Sequence, residues 1–106
     1  MTDIYIYGEI DSSGARGTFS DMDLKATLDG LEPSEPLEVH INSIGGRVDV
    51  GVNCYNILKK WQGKVTVIID GWACSVSSVI AMSADEIIIA DTGLIMLHKP
   101  LLGIAN

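Results

Sequence analysis

An α/β domain built on a mostly parallel sheet is the fold this sequence predicts, and three observations predict it. Apolar runs of strand length recur along the chain, at Ile4–Gly8, Leu37–Asn42, Lys64–Ile69, Ile87–Ile89 and in the stretch from Leu94 to His98. Stretches of helical spacing lie between them, with Leu24, Leu28 and Leu31 in the first and Val48, Val52, Tyr55 and Leu58 in the second. Most of the strand runs lack strict alternation, the pattern of a parallel sheet covered on both faces, with right-handed crossovers.

Each element has its local signals. Ile4-Tyr5-Ile6-Tyr7 reads as an inner strand that Gly8 ends, and Asp11–Thr18 has the composition of a loop. Ser20 and Asp23 have the spacing of a capping box, Phe19 is placed to staple onto Leu24, and Gly30 is a stop. Glu32–Pro36 is short enough to be a connector inside one domain. In the next strand Leu37, Val39 and Ile41 alternate with Glu38, His40 and Asn42, which puts His40 on the more polar side. A histidine without a neighbouring cysteine or second histidine in sequence is read as a surface or hydrogen-bonded group, not a metal ligand. Lys59 and Lys60 suit the carboxyl end of the second helix.

Composition narrows the function classes. The 106 residues make one domain at most, and 47% hydrophobic with 20% charged content is ordinary for a globular core. A formal net charge of -7 and a pI near 4.5 argue against nucleic acid, whose phosphates call for clustered Lys and Arg. Cys54 and Cys74 show no metal or disulfide spacing, so both are read as reduced and buried. No apolar run is long enough to span a bilayer and no targeting signal is found; with both cysteines read as reduced, the cytoplasm is the expected location. No cofactor and no metal are expected.

The stretch Asp70-Gly71-Trp72-Ala73-Cys74-Ser75 carries the chemistry. It takes a buried strand into a small, apolar helix, so Ser75 sits at the positive end of a helix beside N–H groups that no helical carbonyl satisfies. Serine at such a place is most often an N-cap. Two further stretches shift that reading. Ile41-Asn42-Ser43-Ile44-Gly45-Gly46-Arg47-Val48 is a strand end, a Gly-Gly turn and a new helix, and Leu94-Ile95-Met96-Leu97-His98-Lys99-Pro100 is a strand that delivers a histidine to its carboxyl end. Nucleophile, base and oxyanion donors could meet there.

These stretches resemble the Clp protease proteolytic subunit family, and most of all the phage and prophage head-maturation proteases related to it. Asn42-Ser43-Ile44-Gly45-Gly46 resembles that family's Asn-Ser-Pro-Gly-Gly, with Ile44 in place of proline; Gly71-Trp72-Ala73-Cys74-Ser75 resembles Gly-x-Ala-Ala-Ser; Met96-Leu97-His98-Lys99-Pro100 resembles Met-Ile-His-x-Pro. The resemblance runs from Ile4 to Asn106. It implies a β-α-β superhelix shared with the crotonase fold, here with its carboxyl-terminal part missing, and it implies self-association.

It also implies roles. Ser75 is the expected nucleophile and His98 the general base, since a hydroxyl attacks a carbonyl only when a base removes its proton. Gly46 and Val76 are the expected oxyanion donors, and Gly45, Gly46 and Arg47 the segment beside which an extended peptide adds as a strand. Cys74 stands where the family usually has alanine and is read as a packing residue, as are Ser77 and Ser78. Trp72 and Met96 border the site but are read as core.

The expected function is a serine endopeptidase acting on polypeptides, with capsid or scaffold proteins as the substrate class of a head-maturation enzyme. Two alternatives stand beside it, a crotonase-like acyl-CoA enzyme and a catalytically inactive assembly subunit. The second follows from a gap: the family's acid comes after its histidine, and Asp70, Asp85 and Asp91 all precede His98. The third triad position is therefore left open, and the 106 residues alone are expected to be weakly active or inactive.

Overall fold

Along the first strand β1 (Thr2–Ile10), Ile4, Ile6 and Ile10 turn inward while Tyr5, Tyr7 and Glu9 stay exposed. The same alternation governs β3 (Leu37–Gly46), where Leu37, Val39 and Ile41 are buried, and β4 (Val65–Cys74), where Val65, Val67 and Ile69 are buried. The computed structural model describes residues 1–96, so Leu97, His98, Lys99 and Pro100 lie outside the described residues.

Between β1 and β3 come β2 (Thr18–Phe19) and α1 (Asp21–Asp29); α2 (Val48–Lys59) joins β3 to β4; α3 (Val76–Ala81) leads to β5 (Glu86–Ile89) and β6 (Leu94–Met96). Among the described residues six strands form one sheet in the order β2-β1-β3-β4-β5, with β6 also on β4, and every pairing there is parallel. The inward strand residues join Leu24 and Leu28 of α1, Val50, Cys54 and Leu58 of α2, and Val76, Ile80 and Ala81 of α3 in a single apolar core. Burying such side chains stabilises by about 1.5–3 kcal/mol each, the main force holding helices to sheet.

Several details depart from the sequence reading. The helices cover one face of the sheet among the described residues; on the other, Tyr5, Tyr7 and Ile88 are exposed, because β1, β3 and β4 do alternate. Gly8 does not end β1. It takes φ +88° at a bulge where Glu9 N–H donates to the Gly17 carbonyl, and a Cβ there would strike that same oxygen. Phe19 belongs to β2, in register with Ile10, while the Ser20–Asp23 capping box forms as expected with both hydrogen bonds present.

On α2 the buried residues are Val50, Gly51, Cys54 and Leu58, whereas Val52 is 40% exposed. Both this stripe and the expected one contain Leu58, so spacing alone does not separate them. Gly51 decides it: Val76 of α3 fills the space a side chain there would need. Cys54 and Cys74 are buried and unbonded, and burial, helped by Asp21 and Asp23, pushes the Cys54 thiol up to about 12. No helix of the described residues is long and apolar enough to cross a membrane.

Candidate active site

The carboxyl ends of β3 and β4 are brought together by an irregularity in their pairing. Ile41 pairs with Ile69, but Ser43 pairs with Ala73, so Asp70-Gly71-Trp72 carries two more residues than the facing strand. Asn42 fills the gap. Its Oδ1 accepts a hydrogen bond from Trp72 N–H at 3.0 Å, and it sits where a Cβ on Gly71 would be, which only glycine permits. The sequence reading ended this strand at Ile69; it continues to Cys74 and delivers Ser75 directly.

Ser75 has φ 55° and ψ -130°, the one positive φ outside glycine among the described residues. A non-glycine residue in so sparsely populated a region costs on the order of 1–3 kcal/mol and persists only where its surroundings impose it. The N-cap reading fails here, because the Ser75 side chain makes no capping hydrogen bond to α3. What fixes the backbone is contact on both sides. Ser75 N–H donates to the Met96 carbonyl at 3.2 Å, and its carbonyl accepts from Ser78 N–H at 3.0 Å and Ser78 Oγ at 2.5 Å.

Gly45 closes the other side. It takes φ +101°, and a Cβ on it would lie 2.8 Å from Ser75 Cβ and 3.3 Å from Ser75 Oγ. Ser43 Oγ accepts from Gly45 N–H at 3.0 Å, and the Ser43 carbonyl accepts from Ser77 Oγ, also at 3.0 Å. The single Ser77 hydroxyl proton is shared with the Cys74 carbonyl, 2.6 Å from Oγ. Ser77 and Ser78 are thus fully engaged packing residues, and Cys74, at 7% exposure, belongs to the buried set as expected. The roles of Asn42 and Ser43 were missed by sequence reasoning; their place between strand and Gly-Gly pair was the available signal.

Val76 opens α3, and its N–H is among those with no carbonyl to meet within the helix. Gly46, at φ +150°, is in register with Ile10, and a Cβ there would strike the Ile10 carbonyl. The absent side chains at Gly45 and Gly46 therefore admit the chain's own Ser75 and Ile10. Arg47 N–H donates to the Ile10 carbonyl at 2.8 Å. The Arg47 guanidinium holds Asp49 through Nη2 at 2.7 Å and Nε at 3.1 Å, which keeps the Asp49 carboxyl below its usual range. Nη1 reaches Ser12 Oγ at 3.3 Å.

The strand that the sequence reading carries on to His98 is described from Leu94 to Met96. β6 runs parallel to β4 with Trp72 beside Leu94, Ala73 beside Ile95 and Cys74 beside Met96. His98, two residues further on, lies outside the described residues. Trp72 and Met96 are 50% and 45% exposed, so the expectation that they are core is corrected, and Ile44 is more exposed still at 68%. The outward turn follows from pairing: Ser43 and Ala73 point in, which points their neighbours Ile44 and Trp72 out. Asp70 and Asp85, two of the acids preceding His98, are already engaged, Asp70 with Tyr7 and His40 and Asp85 with Val65 N–H at 2.8 Å.

Comparison with known proteins gives the same answer along the whole chain. The family described as Clp protease matches residues 1–106. ATP-dependent Clp protease proteolytic subunit 3 of Rhodococcus jostii is 32% identical over 106 residues, which are 97% of this chain and 50% of that one. ATP-dependent Clp protease proteolytic subunit 1 of Chlamydia abortus is 32% identical over 78 residues, 72% of this chain and 41% of that one. A solved structure of a ClpP1 point mutant from Listeria monocytogenes superposes with a TM-score of 0.61 at 29% identity, covering 77% of this chain and 46% of its own. The chain spans about half the length or less of these relatives. An all-parallel sheet with a serine forced to positive φ at the turn into α3, under a family match over every residue, means that this chain belongs to the Clp protease family.

Proposed function

We propose that this chain carries the nucleophile, base and oxyanion donors of a Clp-type serine endopeptidase. Ser75 attacks the scissile carbonyl, His98 takes its proton and returns it to the leaving amine, and Val76 and Gly46 donate their N–H groups to the oxyanion. The observation that carries this reading is the Ser75 backbone. A serine that neither caps its helix nor relaxes to an ordinary φ is held for its hydroxyl. A turn that presents a serine between strand and helix, beside free helix N–H groups, is a recurring way to expose a nucleophile.

The substrate is a polypeptide. The segment Gly45-Gly46-Arg47 is its docking strand, and exposed Ile44, Trp72 and Met96 offer apolar contact for its side chains. Capsid or scaffold proteins as substrate, and assembly into a homo-oligomer, are supported by the sequence resemblance to head-maturation proteases. The acyl-CoA alternative gives no use to a Ser75–His98 pair, and the family match favours the protease. Covalent labelling by a fluorophosphonate probe tests the reading. Labelling of Ser75 that vanishes in Ser75→Ala and in His98→Ala is the expected result. A probe that never marks Ser75, even when the chain is fused to the carboxyl-terminal half of the Rhodococcus jostii relative, overturns it.

A further inference from the structure

On the sheet face that no helix covers, β1, β3 and β4 bring together side chains that are far apart in sequence. His40 Nδ1 lies 3.0 Å from Asp70 Oδ2, and the ring stacks on Tyr5 with centroids 4.6 Å apart and planes 19° apart. Tyr7 donates its hydroxyl to the same Asp70 oxygen at 2.5 Å, and that bond, with burial, pushes the phenol up to about 12, so it stays a donor. The other ring nitrogen, Nε2, faces Asp3 Oδ1 at 3.6 Å and Glu38 Oε1 at 3.7 Å.

Tautomer chemistry makes this arrangement specific. An ionised Asp70 can only accept, so a neutral His40 ring beside it carries its proton on Nδ1 and its lone pair on Nε2. Three atoms able to ligate, Nε2 and two carboxylate oxygens, then converge within 4.8 Å of one another. Among the described residues, no lysine or arginine forms an ion pair with Asp3, Glu38 or Asp70. Cation–ligand bonds of about 2.0–2.1 Å in tetrahedral geometry place neighbouring ligand atoms about 3.4 Å apart. The spacings of 3.6 Å and 3.7 Å from Nε2 are close to that value, and the two carboxylate oxygens lie within 4.8 Å of each other.

We infer that Asp3, Glu38 and His40 form a binding site for a divalent transition cation, zinc by its ligand chemistry, with Asp70 holding the imidazole in the ligating tautomer. One imidazole and two carboxylates suit zinc better than the all-oxygen shells of calcium or magnesium. A carboxylate behind the ligating histidine is the usual outer support of such sites. The site ties the first strand to the third, so its effect is on the anchoring of β1 and is separate from hydrolysis at Ser75.

The test is calorimetric titration of the whole chain with zinc chloride, read beside the imidazole nitrogen resonances of its two histidines, His40 and His98. One zinc per chain, a shift at His40 Nε2, loss of binding by tenfold or more in His40→Gln and Glu38→Gln, and a weakening of about 10–100-fold in Asp70→Asn are expected. Glu38→Gln and Asp3→Asn change one exposed or half-buried carboxylate each, so at least these variants fold. The inference fails if zinc at 100-fold excess produces no saturable heat. It fails equally if binding survives Glu38→Gln and His40→Gln undiminished, or if the imidazole resonances show His40 protonated on both nitrogens at neutral pH and unmoved by zinc.

Discussion

Gly45 and Ser75 are in contact through the space where a glycine lacks a side chain: a Cβ on Gly45 would come within 2.8 Å of Ser75 Cβ and 3.3 Å of its Oγ. Gly45→Ala therefore pushes on the proposed nucleophile and also forces alanine to φ +101°. We expect a loss of about 1–3 kcal/mol in stability and at least a tenfold drop in probe labelling of Ser75. Gly14→Ala is the control. Gly14 has φ +77° with nothing within 4 Å of the added carbon, so it bears backbone strain alone and leaves labelling unchanged. Equal labelling in the two variants would show that contact with Ser75 does not matter.

Ser75→Gly separates strain from chemistry. Glycine reaches φ 55° without the steric cost, and its greater chain entropy offsets only part of that relief. Labelling and hydrolysis are abolished while the melting temperature rises, by about 4–8 °C if ~1 kcal/mol is recovered. Ser75→Ala abolishes the same activities without that rise. A melting temperature that falls in Ser75→Gly would mean that the serine backbone is not strained.

Cys54 is a built-in check on the core. With its thiol pushed up to about 12 by burial, it stays protonated and shielded at neutral pH. Native protein is expected to resist iodoacetamide at Cys54 and to become alkylated there once urea unfolds the sheet. Rapid alkylation of Cys54 in the native state would place α2 elsewhere than against the sheet.

The Arg47–Asp49 pair gives a pH signature. Asp49 is held below its usual range by Arg47, so its folded value is depressed relative to the unfolded one. The pair's stabilisation is present above the unfolded value and is lost as pH falls through the folded one. Both groups are exposed, so the effect is small and weakened by salt. Asp49→Asn is expected to remove that component from the acid limb of a pH–stability profile and to free the guanidinium at the proposed docking strand. A profile that keeps its shape would mean the pair is not formed in solution.

How much of this was legible in the sequence differs by element. The parallel sheet and its helices follow from apolar runs and helical spacing, and the Ser20–Asp23 cap from two residues at the right separation. The bulge at Asp70-Gly71-Trp72 was not legible, because a run of apolar residues gives no sign of where two strands slip by two residues. Nor was the face of α2, since both stripes share Leu58 and the choice rests on the small volume of Gly51 against Val76. His40 read as a lone histidine because Asp3, Glu38 and Asp70 reach it only through strand pairing. Ser75 stands out in the sequence by its place between strand and helix, but its positive φ is a property of three dimensions.

The most demanding prediction concerns what His98 needs. A neutral imidazole acts as base only in the tautomer and orientation that a partner fixes, and loss of that partner in a Ser-His-acid triad costs about 10⁴ in rate. Asp70 and Asp85 are bonded elsewhere, and no acid follows His98 in the 106 residues. A peptide must also be held against Ser75, and positioning can supply ~7–11 kcal/mol of the barrier. The 106-residue chain is therefore expected to hydrolyse peptides slowly or not at all. The chain fused to the carboxyl-terminal half of the Rhodococcus jostii relative is expected to gain several orders of magnitude. Probe labelling and peptide hydrolysis measured side by side decide the matter. If the short chain matches the fusion, a Ser75–His98 dyad suffices and the requirement for an acid is wrong.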